Sequence, residues 1–192
     1  MSRPSCPRCA NAYDGPGVCS RCRSSPLQVA PVTSVFLFQD AVREAIYALK
    51  YHGGASVAIP LAGRMAEAWG WLGLSSDLLV PVPLHSERER QRGYNQSVVL
   101  ARSLAPLVEV PLDETILFRT RATVSQTHLG TSERWDNVRD AFACSGSREL
   151  SGLRVTLVDD VMTTGATLNA CAVALRARGA RSVSAFTLAH AV

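Results

Sequence analysis

Charge is scarce in this sequence, and positive charge is almost all of one kind. Charged residues make up 19% of the 192, below the ~25% usual for globular chains, while 47% are apolar. That balance excludes a disordered or fibrous chain. Of 20 basic residues only Lys50 is lysine; arginine's planar fork suits phosphate, and a genome-wide codon bias gives the same excess. Aromatic residues amount to 6% and are not interleaved with a basic stretch, so no single-strand nucleic-acid surface is legible. No apolar run approaches the ~18 residues of a membrane helix, and mean hydropathy is only +0.08. The start, Met1-Ser-Arg-Pro-Ser-Cys6, lacks the apolar stretch of a secretory signal, which makes the cytoplasm the expected location and membrane insertion unexpected. At ~100–200 residues per domain, the length predicts one hydrophobic core plus a small appendage.

Net charge is +4, and residues 1–25 hold +3 of it through Arg3, Arg8, Arg21 and Arg23 against Asp14. The same segment carries two C-x2-C pairs, Cys6-Pro-Arg-Cys9 and Cys19-Ser-Arg-Cys22. Each pair aims two sulfurs at one centre, and four thiolates complete a structural Zn2+ site with no open position for catalysis. Such a site would bring the segment to about +1 and remove the electrostatic case for a nucleic-acid partner. Between the pairs, Asn11 to Gly17 supply turn residues and almost no core, so the segment needs its metal to fold. Two disulfides fit the spacing only in an oxidising compartment, and a redox pair lacks a thioredoxin-like unit beside it. Cys144 and Cys171 lie in apolar surroundings and read as core.

The expected organisation is a zinc-binding module over 1–25 and an α/β domain over 32–192, joined by a linker through Ser24-Ser-Pro26 and Ala30-Pro31. Strands are predicted at Val32–Phe38, Leu78–Val82, Thr115–Phe118, Ala141–Cys144, Arg154–Val158 and Ser182–Leu188. Helices are predicted from Asp40, as cap, through Tyr51, then at Pro60–Trp71, Gln96–Leu107, Glu133–Arg139 and Ala166–Arg178. Val42, Ala45, Ile46 and Leu49 follow the i, i+3, i+4, i+7 spacing of one buried helical face. The continuous β-branched run Arg154-Val-Thr-Leu-Val158 is the mark of a parallel strand. Strands alternating with helices predict an open, mostly parallel sheet flanked by helices.

Chemistry concentrates in Val155-Thr-Leu-Val-Asp-Asp-Val-Met-Thr-Thr-Gly-Ala-Thr-Leu168. A buried strand is predicted to end in Asp159 and Asp160, and a loop of small residues then opens a helix. Thr163, Thr164, Gly165, Ala166 and Thr167 offer hydroxyls, close backbone approach and free N–H groups, an anion cradle for one phosphate. Two carboxylates beside it repel phosphate but suit sugar hydroxyls or a hydrated Mg2+, so the combination reads as a phosphosugar site. An Asp-Asp pair capping the next helix is the blander alternative. Arg88, Arg90 and Arg92 with Glu87 and Glu89 fit either a solvated alternating face or phosphate handling. Lys50 fits either a pyrophosphate contact or an exposed helix end, and Tyr94 and Asn95 either order a loop or touch ligand.

This stretch resembles the 5-phosphoribosyl 1-diphosphate (PRPP) signature of type I phosphoribosyltransferases. Leu49-Lys-Tyr-His-Gly53, Val80-Pro-Val-Pro-Leu-His85, Arg92-Gly-Tyr-Asn-Gln-Ser97, Arg119 to Thr127 and Glu133-Arg134 narrow the resemblance to the competence protein F (ComF) family, from about Thr33 to the C-terminus, with the cysteine module part of the pattern. The resemblance implies a type I phosphoribosyltransferase sheet preceded by a zinc knuckle. It implies Asp159 and Asp160 as the acids holding the ribose hydroxyls, and Thr163 to Thr167 as the 5′-phosphate loop. Pro83, Leu84, His85 and Ser86 would form the pyrophosphate loop, with Leu84 and His85 standing where small or acidic residues are common. Arg119, Gln126 and Arg134 would belong to a loop that closes over PRPP. Implied cofactors are structural Zn2+ and Mg2+ with PRPP. Implied partners are PRPP or a related phosphosugar and proteins of the competence machinery, with nucleic acid left open. Two functions follow: a phosphoribosyltransferase whose acceptor is unreadable, or a non-catalytic PRPP-sensing or scaffolding module of DNA uptake.

Overall fold

The computed structural model describes residues 5–10, 13–24, 27–52, 54–121 and 131–191. In chain order the elements are α1 (Ser20–Ser24), β1 (Val32–Leu37), α2 (Asp40–Tyr51), α3 (Gly54–Trp71), β2 (Leu78–Pro81), α4 (Ser86–Arg92), α5 (Gln96–Val108), β3 (Leu117–Arg119), α6 (Thr131–Val138), β4 (Phe142–Cys144), β5 (Arg154–Met162), α7 (Ala166–Ala177) and β6 (Ser182–His190). Four strands pair in parallel in the order β1-β6-β5-β2, and β3 and β4 form a separate antiparallel ribbon. The expected open parallel sheet with flanking helices and a small cysteine module is the architecture found.

Side-chain alternation along the strands divides the core between the two faces. Leu79, Val158, Phe186 and Leu188 pack with Ile46, Leu49, Met65, Leu100 and Leu104 of α2, α3 and α5. Leu78, Val80, Val155, Leu157 and Val183 pack with Leu168, Cys171 and Leu175 of α7. The neighbours β2 and β5 therefore send their following helices to opposite faces of the sheet. Such a reversal opens a crevice at the carboxyl ends of the strands, where open α/β sheets take ligands.

β5 runs past its predicted end at Val158. β6 keeps it paired as far as Met162↔His190, whereas β2 stops at Pro81 opposite Val158. Val82 donates one more bond to Val158 at 2.9 Å, and Pro83 then has no N–H to give. The acids consequently lie inside a strand, on a stretch that β2 has left open. α3 begins at Gly54 rather than at Pro60, which falls on the helix's exposed side, where a lost helical bond costs least. Asp40 does not cap α2: Gln39 holds the cap position with no side-chain bond, and Asp40 itself has φ +45°. The charged run after Pro83 forms α4, an element the charge pattern did not announce. The expected linker is built into the core, with Leu27 and Val29 buried and Ala30 N–H donating to Val183 at 2.8 Å. Cys6, Cys9 and Cys22 share that buried cluster.

Candidate functional site

A cavity of about 400 Å³ opens at the switch between β2 and β5. Its walls include Asp159, Asp160, Thr163, Thr167, Pro83 and Leu84, together with the cations Lys50, Arg88, Arg92 and Arg119. A narrow crevice of about 30 Å³ continues from Asp159 along Thr163, Gly165, Ala166 and Thr167. A second cavity, of about 530 Å³ between α6, β4 and the outer face of α7, contains neither acid. Convergent polar groups mark a binding site better than volume does, so the smaller cavity is the candidate.

Successive strand residues face opposite ways, and the two acids have different surroundings. Asp159 Oδ1 accepts from Ser97 Oγ at 2.7 Å and from Asp160 N–H at 2.9 Å. Burial, then the charge of Asp160, pushes the Asp159 carboxyl well above the ordinary carboxylate range. Asp160 Oδ1 accepts from Gln96 Nε2 at 3.0 Å, and its Oδ2 lies 2.5 Å from Lys50 Nζ. Burial, the largest single influence, raises Asp160 as well, but the charge and hydrogen bond of Lys50, with the hydrogen bonds of Asp159 and Gln96, together outweigh it and hold this carboxyl below its usual value. A divalent metal on the acids does not fit this arrangement, because Asp160 is already engaged on both oxygens and Asp159 on one.

The start of α5 is responsible for that placement. Asn95 caps the helix by accepting from Ser97 N–H at 2.9 Å and donates to the Val82 carbonyl at 3.0 Å, tying α5 to the end of β2. Gln96 also accepts from Arg92 of α4, whose guanidinium lies 5.2 Å from the Tyr51 ring centroid. Tyr94 donates to Leu49 O at 2.5 Å and accepts from Gly54 N–H at 3.2 Å, pinning the end of α2 beside Lys50. Tyr94 and Asn95 thus order the local chain. Gln96 and Ser97 were missed as acid partners; their only sequence signal is a polar start to an otherwise apolar helix, which reads equally well as a cap.

Gly165 takes φ +77° as the N-cap of α7, a conformation that favours glycine. Thr164 lines neither the cavity nor the crevice; its Oγ1 accepts from Ala166 N–H at 3.4 Å. His190, at the end of β6, is bonded to the Thr163 backbone and is lowered by burial, a supporting role with no sequence signal. His85 caps α4 through Nδ1, which accepts from Glu87 N–H at 3.3 Å, and Ser86 opens that helix; neither walls the 400 Å³ cavity. Arg119 reaches the cavity from β3, its guanidinium 5.3 Å from the Phe142 ring centroid, and burial lowers its pKa. Gln126 lies outside the described residues, and of Arg134 only the backbone in α6 is described.

At the other end of the chain, Cys6, Cys9, Cys19 and Cys22 hold their sulfurs within 4.8 Å of one another. Cys9 Sγ and Cys19 Sγ are 3.8 Å apart, about the edge of a tetrahedron with ~2.3 Å metal–sulfur bonds. All six cysteines are free, and four sulfurs drawn to one point suit a shared ion better than two disulfides. Burial alone would raise Cys6, but backbone N–H groups, led by that of Cys19, bring it down to about 6, while burial and the neighbouring thiols push Cys22 up. The donor set could hold a metal such as zinc.

Residues 95–191 match the phosphoribosyl transferase domain family. Over 189 residues the chain is 32% identical to the DNA utilization protein YhgH of Salmonella typhi, spanning 95% of this chain and 82% of that protein. It is 37% identical over 116 residues to competence protein F of Haemophilus influenzae, spanning 60% of this chain and about half, 51%, of that one. Among solved structures, glutamine phosphoribosylpyrophosphate amidotransferase from B. subtilis overlaps 68% of this chain and 26% of its own, at TM-score 0.46 and 20% identity. Among the described residues no helix is long and apolar enough to cross a membrane.

Proposed function

The chain belongs to the competence protein F (ComF) family of phosphoribosyl transferase-domain proteins, and from that premise we propose that its crevice binds PRPP or a related phosphosugar. One observation carries the reading: acids, loop and Pro83-Leu84 turn, remote in sequence, wall one cavity together with four cations. The 5′-phosphate lies on the N–H groups that open α7, where the helix dipole favours an anion. Ribose hydroxyls donate to Asp159, the acid that lines both the cavity and the loop crevice. The diphosphate lies against Lys50, Arg88, Arg92 and Arg119. Transfer breaks the bond from ribose C1 to the diphosphate oxygen, and those fixed cations stabilise the charge that develops on the departing group. Magnesium is given no ligand on the protein in this reading.

Cys6, Cys9, Cys19 and Cys22 hold one structural Zn2+ and take no part in the chemistry. The protein works in the reducing cytoplasm with partners of the competence machinery, in keeping with the names of its relatives. A second reading, PRPP sensing or scaffolding without turnover, is favoured by the pyrophosphate turn: Leu84 puts an apolar side chain on the cavity wall, and the His85 ring is committed to the α4 cap.

Calorimetric titration of PRPP into the wild type and Gly165→Val tests the site. Binding to the first and its loss in the second are expected; no binding to the wild type overturns the reading. Pyrophosphate release over a panel of nucleobase and amine acceptors separates transfer from sensing.

A further inference from the structure

Asp160 is 4% exposed, and its Oδ2 has no hydrogen-bond partner apart from the Lys50 ammonium 2.5 Å away. Gln96 occupies the other oxygen. Lys50 is 26% exposed and stands in the last turn of α2, which Tyr94 pins in place. It is also the one lysine in a chain whose other basic residues are all arginine. An ammonium is a compact point charge with three donors, whereas guanidinium is a broad planar fork. Here, where a cation must fit against a single enclosed carboxylate oxygen, the chain uses the compact group.

We infer that Lys50 is the resident counter-ion of the acid pair and fills the position at Asp160 that a divalent cation would otherwise take. The protein then holds its phosphosugar with no metal ion on its carboxylates. A metal approaching Oδ2 would have to expel the ammonium and meet its repulsion at short range. Asp159 is a weak substitute: one of its oxygens already serves Ser97 and the Asp160 N–H, and burial favours its neutral form. The inference rests on the phosphosugar reading for its sugar-binding consequence alone.

Two calorimetric titrations separate the inference from that reading. The first adds Mg2+ alone. The second adds ribose 5-phosphate, which has no diphosphate to bring a chelated metal, in Mg2+ and in EDTA. The wild type should bind no Mg2+ by itself and should bind ribose 5-phosphate equally in both buffers. Lys50→Met keeps the stem and removes the charge. It should bind Mg2+ alone, and because the Asp160 carboxylate is then uncompensated and repels an anionic sugar phosphate, its affinity for ribose 5-phosphate should fall by roughly tenfold in EDTA and recover in Mg2+. Lys50→Arg keeps a cation but in a broader fork that suits one enclosed oxygen less well, so its response to Mg2+ should fall between those of the wild type and Lys50→Met. Asp160→Asn/Lys50→Met removes both charges, keeps the fold should the single variant lose it, and should bind no Mg2+. Mg2+ binding by the wild type without sugar, or a folded Lys50→Met indifferent to Mg2+, overturns the inference. If the Mg2+ pattern holds while no form binds ribose 5-phosphate, the counter-ion stands and the phosphosugar reading falls.

Discussion

Replacing each acid of β5 by its amide should move the stability of the unliganded protein in opposite directions. Asp159 has a folded pKa raised by burial and by Asp160, so its contribution is complete below the unfolded value of 3.8 and is lost as pH rises toward the folded value. Asp159→Asn removes that loss and can still meet Ser97, so its advantage should grow with pH and reach about 1–2 kcal/mol near neutrality, the usual gain from relieving a strained functional site. Asp160 behaves oppositely: Lys50 holds its pKa below the unfolded value, so its contribution is present above that value and lost as pH falls through the folded one. Removing one partner of a fully buried pair costs ~3–5 kcal/mol. Lys50 is 26% exposed and can turn to water, and Gln96 keeps an acceptor, so about 1–3 kcal/mol is expected for Asp160→Asn. At about 2–4 °C per kcal/mol for a chain of this size, thermal melts from about pH 4 to 8 resolve both effects. If the two amides destabilise equally at neutral pH, Asp159 is ionised in the fold and the assignment of different roles to the two acids is wrong.

Gly165→Ala should cost about 1–2 kcal/mol of left-handed backbone strain, with no steric clash because a Cβ there meets nothing within 4 Å; melts measure the cost, and ribose 5-phosphate should bind more weakly. Asn95→Ala loses a helix cap and the bond to the Val82 carbonyl together, so a drop of about 1–3 kcal/mol in urea unfolding is expected. Metal analysis should find one zinc per chain and none in Cys9→Ser. That variant should melt lower than the wild type, since three of the cysteines share a buried cluster with Leu27 and Val29.

The parts of this fold legible in the sequence are those governed by local pattern. The β-branched run before Asp159, the glycine-opened helix after it and the doubled cysteine pairs each stand where periodicity and spacing put them. The relation between Asp160 and Lys50 was not legible, because it spans 110 residues of chain and depends on where Tyr94 stops α2. Ser97 and Gln96 carry no mark separating an acid partner from an ordinary cap. The strand's extension through the acids was hidden for a different reason: it depends on β6 continuing to His190 while β2 ends at prolines, a property of pairing between strands rather than of either one. α4 escaped because seven mostly charged residues show no apolar face from which a helical period could be read.

The sheet's two outer strands are not left bare. On the β2 side, Leu79 donates to Pro111 at 2.8 Å and accepts from Asp113 at 3.0 Å. On the β1 side, Val32 donates to the carbonyl of Arg8 at 3.2 Å, and the Arg8 guanidinium is anchored on Leu27 at 2.8 Å. Arg8 sits between two of the clustered cysteines, so the cover on that rim is only as firm as the cluster. With the proposed zinc as the tie of that cluster, stripping it would uncover hydrogen-bonding groups that recruit strands from other chains. Chelated protein should therefore clump in a concentration-dependent way rather than fray reversibly, and metal supply would govern how much of it remains dispersed.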